Sequence, residues 1–189
     1  MKRLIVGLSG ASGVIYGVRL LELLKTIPDI ETHLVVSKGA EVTLRLETRT
    51  SLDDLRALAD VVHEHGNLAA PISSGSFRVL GMVVIPCSMK SLAQIALSLG
   101  DNLLSRAADV TLKERRKLVL VPRESPLHLG HLRHMTAVTE MGAVVLPPAP
   151  SFYHAPTTIM DLVDQTLGKV LDQFGIEHDL FRRWGGDAD

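Results

Sequence analysis

Four short stretches carry the residue types that could do chemistry. Ser9-Gly10-Ala11-Ser12-Gly13 joins an apolar run to a helical pattern. Glycines there let the backbone approach a ligand, and a helix start offers N–H groups to an anion. It is not a G-x-G-x-x-G fingerprint, because Leu8 fills the first glycine position, and it lacks the lysine of a P-loop. Ser37-Lys38 follows THLVV. Ser37 reads either as a helix N-cap or as a hydroxyl contact to a ribityl or phosphate group. Pro86-Cys87-Ser88-Met89-Lys90-Ser91 again runs from an apolar segment into hydroxyls at a helix start. Cys87 reads as a small buried hydrophobe rather than a nucleophile, since no base pattern accompanies it. Pro122-Arg123-Glu124-Ser125-Pro126 follows KLVLV. Arg123 could fork onto a phosphate or carbonyl, and Glu124 could move a proton or orient Arg123. An internal Arg123–Glu124 ion pair is the competing reading.

Two further groups have suggestive spacing. Arg106 and Lys113 lie seven apart on one helical face, with Arg115 and Arg116 nearby. They read as a solvated surface or as a phosphate-collecting face. His128, His131 and His134 recur every third residue, but no carboxylate or cysteine completes a ligand set, so structural or surface roles are expected.

The four stretches need strands and helices to position them. Runs at Lys2–Leu8, Thr32–Val36, Gly81–Pro86, Lys117–Val121 and Ala143–Leu146 read as strands. Helical spacing is expected over Gly13–Thr26, Lys38–Glu47, Asp53–Val62, Ser88–Leu99, Asn102–Arg115, His128–Met141 and Thr157–Phe174. Gly66–Arg78 reads as a loop. The alternation predicts an α/β fold of three layers, Rossmann-like, with a central parallel sheet in one domain over 1–189. Ligands of such sheets bind beyond the carboxyl ends of the strands, so the four loops should share one crevice.

Composition narrows the classes. The 189 residues are 46% hydrophobic but only 4% aromatic, so the core must be aliphatic. A formal net charge of -1 gives no basic excess for nucleic-acid phosphates. The opening MKRLIVGLSG imitates a signal peptide but runs into a glycine turn. No apolar stretch approaches the roughly 20 residues of a membrane span. With one cysteine and no intrachain disulfide, the expectation is a soluble cytoplasmic chain without membrane or nucleic-acid partners.

Six stretches resemble the UbiX family of flavin prenyltransferases, including its Pad-type members. They are SGASGVIYGVRLLELL, THLVVSKGA, ISSGSFR, MVVIPCSMKSLA, LLSRAADVTLKERRKLVLVPRESPLHLGHL and GAVVLPPAPSFYHAPTTIMDLV. The tail RRWG is also similar, so the resemblance spans nearly the whole chain. It implies metal-independent transfer of a dimethylallyl unit from dimethylallyl phosphate, or the pyrophosphate, to N5 and C6 of reduced FMN. It also implies delivery of prenylated FMN to a UbiD-type decarboxylase and assembly as a homododecamer of trimers.

Carried onto this sequence, the resemblance puts flavin contacts on Gly10, Ala11, Ser12, Ser37, Ser88, Met89, Lys90, Ser91 and Arg123. It puts the prenyl phosphate on Tyr153 and Lys169, with Arg106, Lys113, Arg123 and Glu124 around it. Ser12, Glu124 and Glu47 become catalytic, with Glu47 reaching in from a neighbouring subunit. Many members carry Arg where this chain has Lys169, which acts as a point charge without a fork. Two other readings remain. Direct decarboxylation, as in the peptidyl-cysteine decarboxylases, would need an early helical His and a PASANT-like loop, where this chain reads PCSMKS. A non-catalytic flavin carrier would need fewer charged residues.

Overall fold

Lys2–Leu8 forms β1, a strand buried from Leu4 onward because it is covered on both faces. The computed structural model describes residues 1–185. After β1 come α1 (Val14–Lys25), β2 (Ile30–Val36), α2 (Lys38–Glu47), α3 (Leu52–Ala57) and β3 (Val61–His63). A 3₁₀ turn at Pro71–Ser73 precedes β4 (Gly81–Cys87), α4 (Met89–Ala96), α5 (Leu103–Lys113) and β5 (Lys117–Pro122). The described chain continues with α6 (Leu129–Glu140), β6 (Val144–Val145) and α7 (Ile159–Gln173).

The strands form one parallel sheet in the order β3-β2-β1-β4-β5-β6. Alternate residues of each strand point to opposite faces. Leu4, Val6, Leu34, Val83 and Val119 pack with α1 and α7. Ile5, Val35, Met82, Val84, Leu118 and Leu120 pack with α4, α5 and Val138 of α6. The three-layer α/β expectation holds. Strand order reverses at β1, with β2 on one side and β4 on the other. A crevice must open at the carboxyl ends there, because the connections leave in opposite directions.

One element departs from the sequence reading. Asp53–Val62 is not one helix: α3 stops at Ala57, and Val61–His63 pairs with His33–Val35 of β2. The chain turns at Asp60, whose carboxylate accepts from the Thr32 N–H and hydroxyl at 2.7 and 2.9 Å. Tertiary pairing of the β-branched Val61 and Val62 overrides the helical spacing of Leu55 and Leu58.

Candidate functional site

The floor of the crevice is a hydrogen-bonded joint between β1 and β4. The Ser9 N–H and hydroxyl both donate to the Pro86 carbonyl, at 3.2 and 3.0 Å. The same hydroxyl accepts from the Ser88 N–H at 2.7 Å. Ser9 is buried, so Ser9→Ala leaves the Ser88 donor without this partner. The expected cost is about 1–3 kcal/mol, measurable by chemical unfolding.

Three helices begin at this crevice. Ser37 caps α2 by accepting from the Ala40 N–H, Ser88 caps α4 through Ser91, and Asn102 caps α5 through Ser105. All three capping residues line a cavity of about 590 Å³. Capping and ligand contact are therefore compatible for the serines. The Ser37 hydroxyl accepts the helix N–H and keeps its own proton to donate, while Ser88 passes its proton to Ser91 Oγ at 3.2 Å and so leaves the Ser91 hydroxyl to donate. Three positive helix ends, joined by Lys38 and Lys90, make a site for an anion.

The first loop contributes differently. Gly10, Ala11 and Ser12 line the cavity, and Gly10 lies directly against Gly39 of α2. The start of α1 is not free for a ligand, because Glu47 has taken it. One Glu47 oxygen accepts from the Gly13 and Val14 N–H groups at 2.8 and 3.2 Å. Glu47 thus acts within its own chain, which corrects the expectation that it reaches in from a neighbouring subunit. The reason is the placement of α2. Its first turn touches Gly10 and its last turn carries a carboxylate to Gly13.

Partial burial pushes the Glu47 carboxyl up. The Ser12 hydroxyl, the two backbone N–H groups and the charge of Arg123 outweigh that and hold it below its ordinary value. The stabilisation it gives is fully present above the unfolded value near 4.5 and is lost as pH falls through the lowered folded value. Glu47→Gln should therefore flatten the fall in melting temperature below about pH 5 relative to the native chain.

Arg123 and Glu124 line the same cavity from the end of β5. The Arg123 N–H donates to the Cys87 carbonyl at 3.2 Å, tying this turn to β4. Among the described residues no ion pair joins Arg123 to Glu124 or to any other carboxylate within 4.0 Å. Arg123 is thus free to meet an anionic ligand. Cys87 is fully buried, and burial pushes its thiol up to about 12, which removes it as a nucleophile at neutral pH.

Other expected residues lie elsewhere. Arg106 donates to the Ser73 carbonyl and to Asp109, and Lys113 pairs with Glu114. Arg116 donates to the carbonyls of Gly75 and Phe77. Arg106 and Arg116 fasten the loop around the 3₁₀ turn, and neither Arg106 nor Lys113 lines the crevice of its own chain. Tyr153 packs edge-on against Trp184, and Lys169 lies on α7 beside Asp172, also outside that crevice. His128 caps α6 and stacks on His131.

The crevice also holds residues that no motif singled out: His65, Gln94 and Asn102. Burial first, then Lys90, keeps the His65 imidazole below its ordinary value, with Asp101 and Glu41 opposing. His65 follows the strand missed in the sequence, so no signal for it was present.

The donor set suits a flavin mononucleotide. The cavity volume falls within the usual ligand range, helix starts and lysines match a phosphate, and the hydroxyl-rich rim matches a ribityl chain. This fold and site define the flavoprotein class, and the family model described as Flavoprotein matches residues 1–173. The flavin prenyltransferase UbiX of Escherichia coli K12 is 61% identical over 188 residues, 98% of this chain and 100% of that protein. The chain belongs to the UbiX flavin prenyltransferase family. The crystal structure of AnUbiX (PadA1) in complex with FMN and dimethylallyl pyrophosphate superimposes with a TM-score of 0.96 at 50% identity, covering 99% of each chain. A dodecameric FMN-dependent UbiX-like decarboxylase from Escherichia coli O157:H7 gives a TM-score of 0.95 at 55% identity, covering 97% of this chain and 100% of that one. Among the described residues no helix is long and apolar enough to cross a membrane.

Proposed function

We propose that the crevice holds FMN and that this chain joins the five-carbon unit of dimethylallyl phosphate to N5 and C6 of the reduced flavin. The observation that carries the reading is the meeting of the serine-capped helix starts with Arg123 and Glu124 in one cavity. When bound, the reduced flavin supplies the electron-rich atoms that accept the prenyl carbon. Ser37, Ser88 and Ser91 hold its polar chain, while Met89 and Lys90 close that side. Arg123 aims a guanidinium at the leaving phosphate, whose negative charge grows as the allylic C–O bond breaks. Ser12, whose hydroxyl donates to Glu47, turns its oxygen to the site as an acceptor, and Glu124 holds or releases the proton exchanged at the site.

Tyr153 and Lys169 complete the phosphate site, in this reading, in the crevice of another copy. Arg106 and Lys113 take the same part only across such an interface. Their separation from their own crevice supports this, as does the dodecameric assembly of the similar UbiX-like protein. The product passes to a UbiD-type decarboxylase, and the chain works in the cytoplasm as a homododecamer built on one domain.

Incubation with FMN, a reductant and dimethylallyl phosphate or pyrophosphate should give a flavin heavier by one C5 unit in mass spectrometry. Unmodified FMN recovered from folded, flavin-bound protein with both donors would overturn the reading. Activation of a flavin-free UbiD-type decarboxylase by the product tests the partner.

A further inference from the structure

The end of the described chain folds back on α7 and engages one carboxylate. His178 and Phe181 lie directly against Gly168, and the Arg183 guanidinium sits 5.5 Å over the Phe181 ring. Arg183 then reaches Asp172 with a two-pronged grip, at 2.7 Å to Oδ1 and 3.0 Å to Oδ2. His178 Nε2 lies 3.2 Å from the same Oδ1. Asp172 is one helical turn beyond Lys169, the i,i+3 spacing at which a lysine and an aspartate normally pair. Here they do not close up: the ammonium stays 4.0 Å from Oδ2, and the Lys169 side chain is 50% exposed. The reason is that the fork of Arg183 fits a carboxylate better than an ammonium does.

We propose that Arg183 is a positioning residue for donor binding: it occupies Asp172 and so leaves the Lys169 ammonium available to the leaving phosphate. The inference rests on the reading that Lys169 holds that phosphate. Without Arg183, Asp172 is a rival anion three residues from Lys169. It competes with the phosphate for the Lys169 ammonium. The chain thereby holds the Lys169 ammonium at the 4.0 Å edge of pairing with Asp172 instead of in close contact.

The test is a cycle of variants, read by calorimetric binding of dimethylallyl phosphate to the flavin-free assembled protein and by KM against kcat in the prenylation assay. Arg183→Ala should weaken donor binding and raise KM by about fivefold, the size of an exposed ion pair, with a smaller change in kcat. Arg183→Ala combined with Asp172→Asn should return binding to the native level, because the rival charge is gone. Asp172→Asn alone should bind at least as tightly as the native chain. If Asp172→Asn alone weakens binding as Arg183→Ala does, and the pair is not rescued, the tail is merely structural and the proposal falls. Trp184 is the only tryptophan, so its emission reports independently whether the tail has left Tyr153. Rescue despite shifted emission would separate charge from docking. Lys169→Ala distinguishes the two failures. Unchanged donor binding there overturns the phosphate role of Lys169, whereas a loss there without one in Arg183→Ala overturns only the role of Arg183.

Discussion

Arg123→Ala is expected to lower the rate of C5 transfer by about two to three orders of magnitude with little change in melting temperature. The stability half follows from the geometry. The side chain is exposed and makes no ion pair among the described residues, while the contact that holds the turn, from the Arg123 N–H to the Cys87 carbonyl, survives the substitution. The rate half follows from where charge develops. Breaking the C–O bond of an allylic phosphate puts new negative charge on the phosphate. A cation already aimed there lowers the barrier without reorganising. Arg123→Lys keeps the charge but loses the fork, and should fall between the two. Single-turnover mass spectrometry on reduced, flavin-loaded protein checks all three. Equal rates in the native chain and Arg123→Ala would remove Arg123 from the phosphate site.

How much of this was legible in the sequence depended on whether a signal was local. β1, β2, β4 and β5 are doubly covered strands, so each carries an apolar run that stood out: LIVGL, LVV, MVVIP and LVLVP. The four chemical loops were legible because each follows such a run, and all four contribute to the crevice. β3 was not legible: three residues long, it exists through pairing with β2 and the Asp60 turn, both long-range. His65, which follows it, was hidden for the same reason. The helical spacing of Arg106 and Lys113 was real. It could not tell a ligand-collecting face from one that binds the carbonyls and carboxylates of neighbouring elements. Glu47 is the subtler case. Its nearness to the site came only with the family resemblance, and its chain of origin depends on the angle at which α2 crosses the start of α1.

Gly10→Val should abolish retention of flavin through purification and destabilise the chain. A side-chain carbon at Gly10 would fall 2.8 Å from the Gly39 Cα and 2.9 Å from its carbonyl carbon. Both are backbone atoms, so no rotamer change relieves the clash. The loop after β1 and the first turn of α2 must separate instead. Overpacking of this kind costs about 1–3 kcal/mol. The larger consequence is functional. Separation moves Gly10, Ala11 and Ser12 away from the Ser37 cap, and these residues form one wall of the cavity. It also disturbs α2, whose far end delivers Glu47 to Gly13, so the same change loosens the support of Ser12. A displacement of about 1 Å in such a wall is enough for a hundredfold loss of rate. Gly39→Ala should act in the same direction but more mildly, its nearest contact being the Gly10 Cα at 3.1 Å. Gly66→Ala is the control: nothing lies within 4 Å of its added carbon, so flavin retention should persist. Flavin absorbance of the purified variants and their melting temperatures give the answer. Full retention in Gly10→Val would mean that the two loops can part without opening the site.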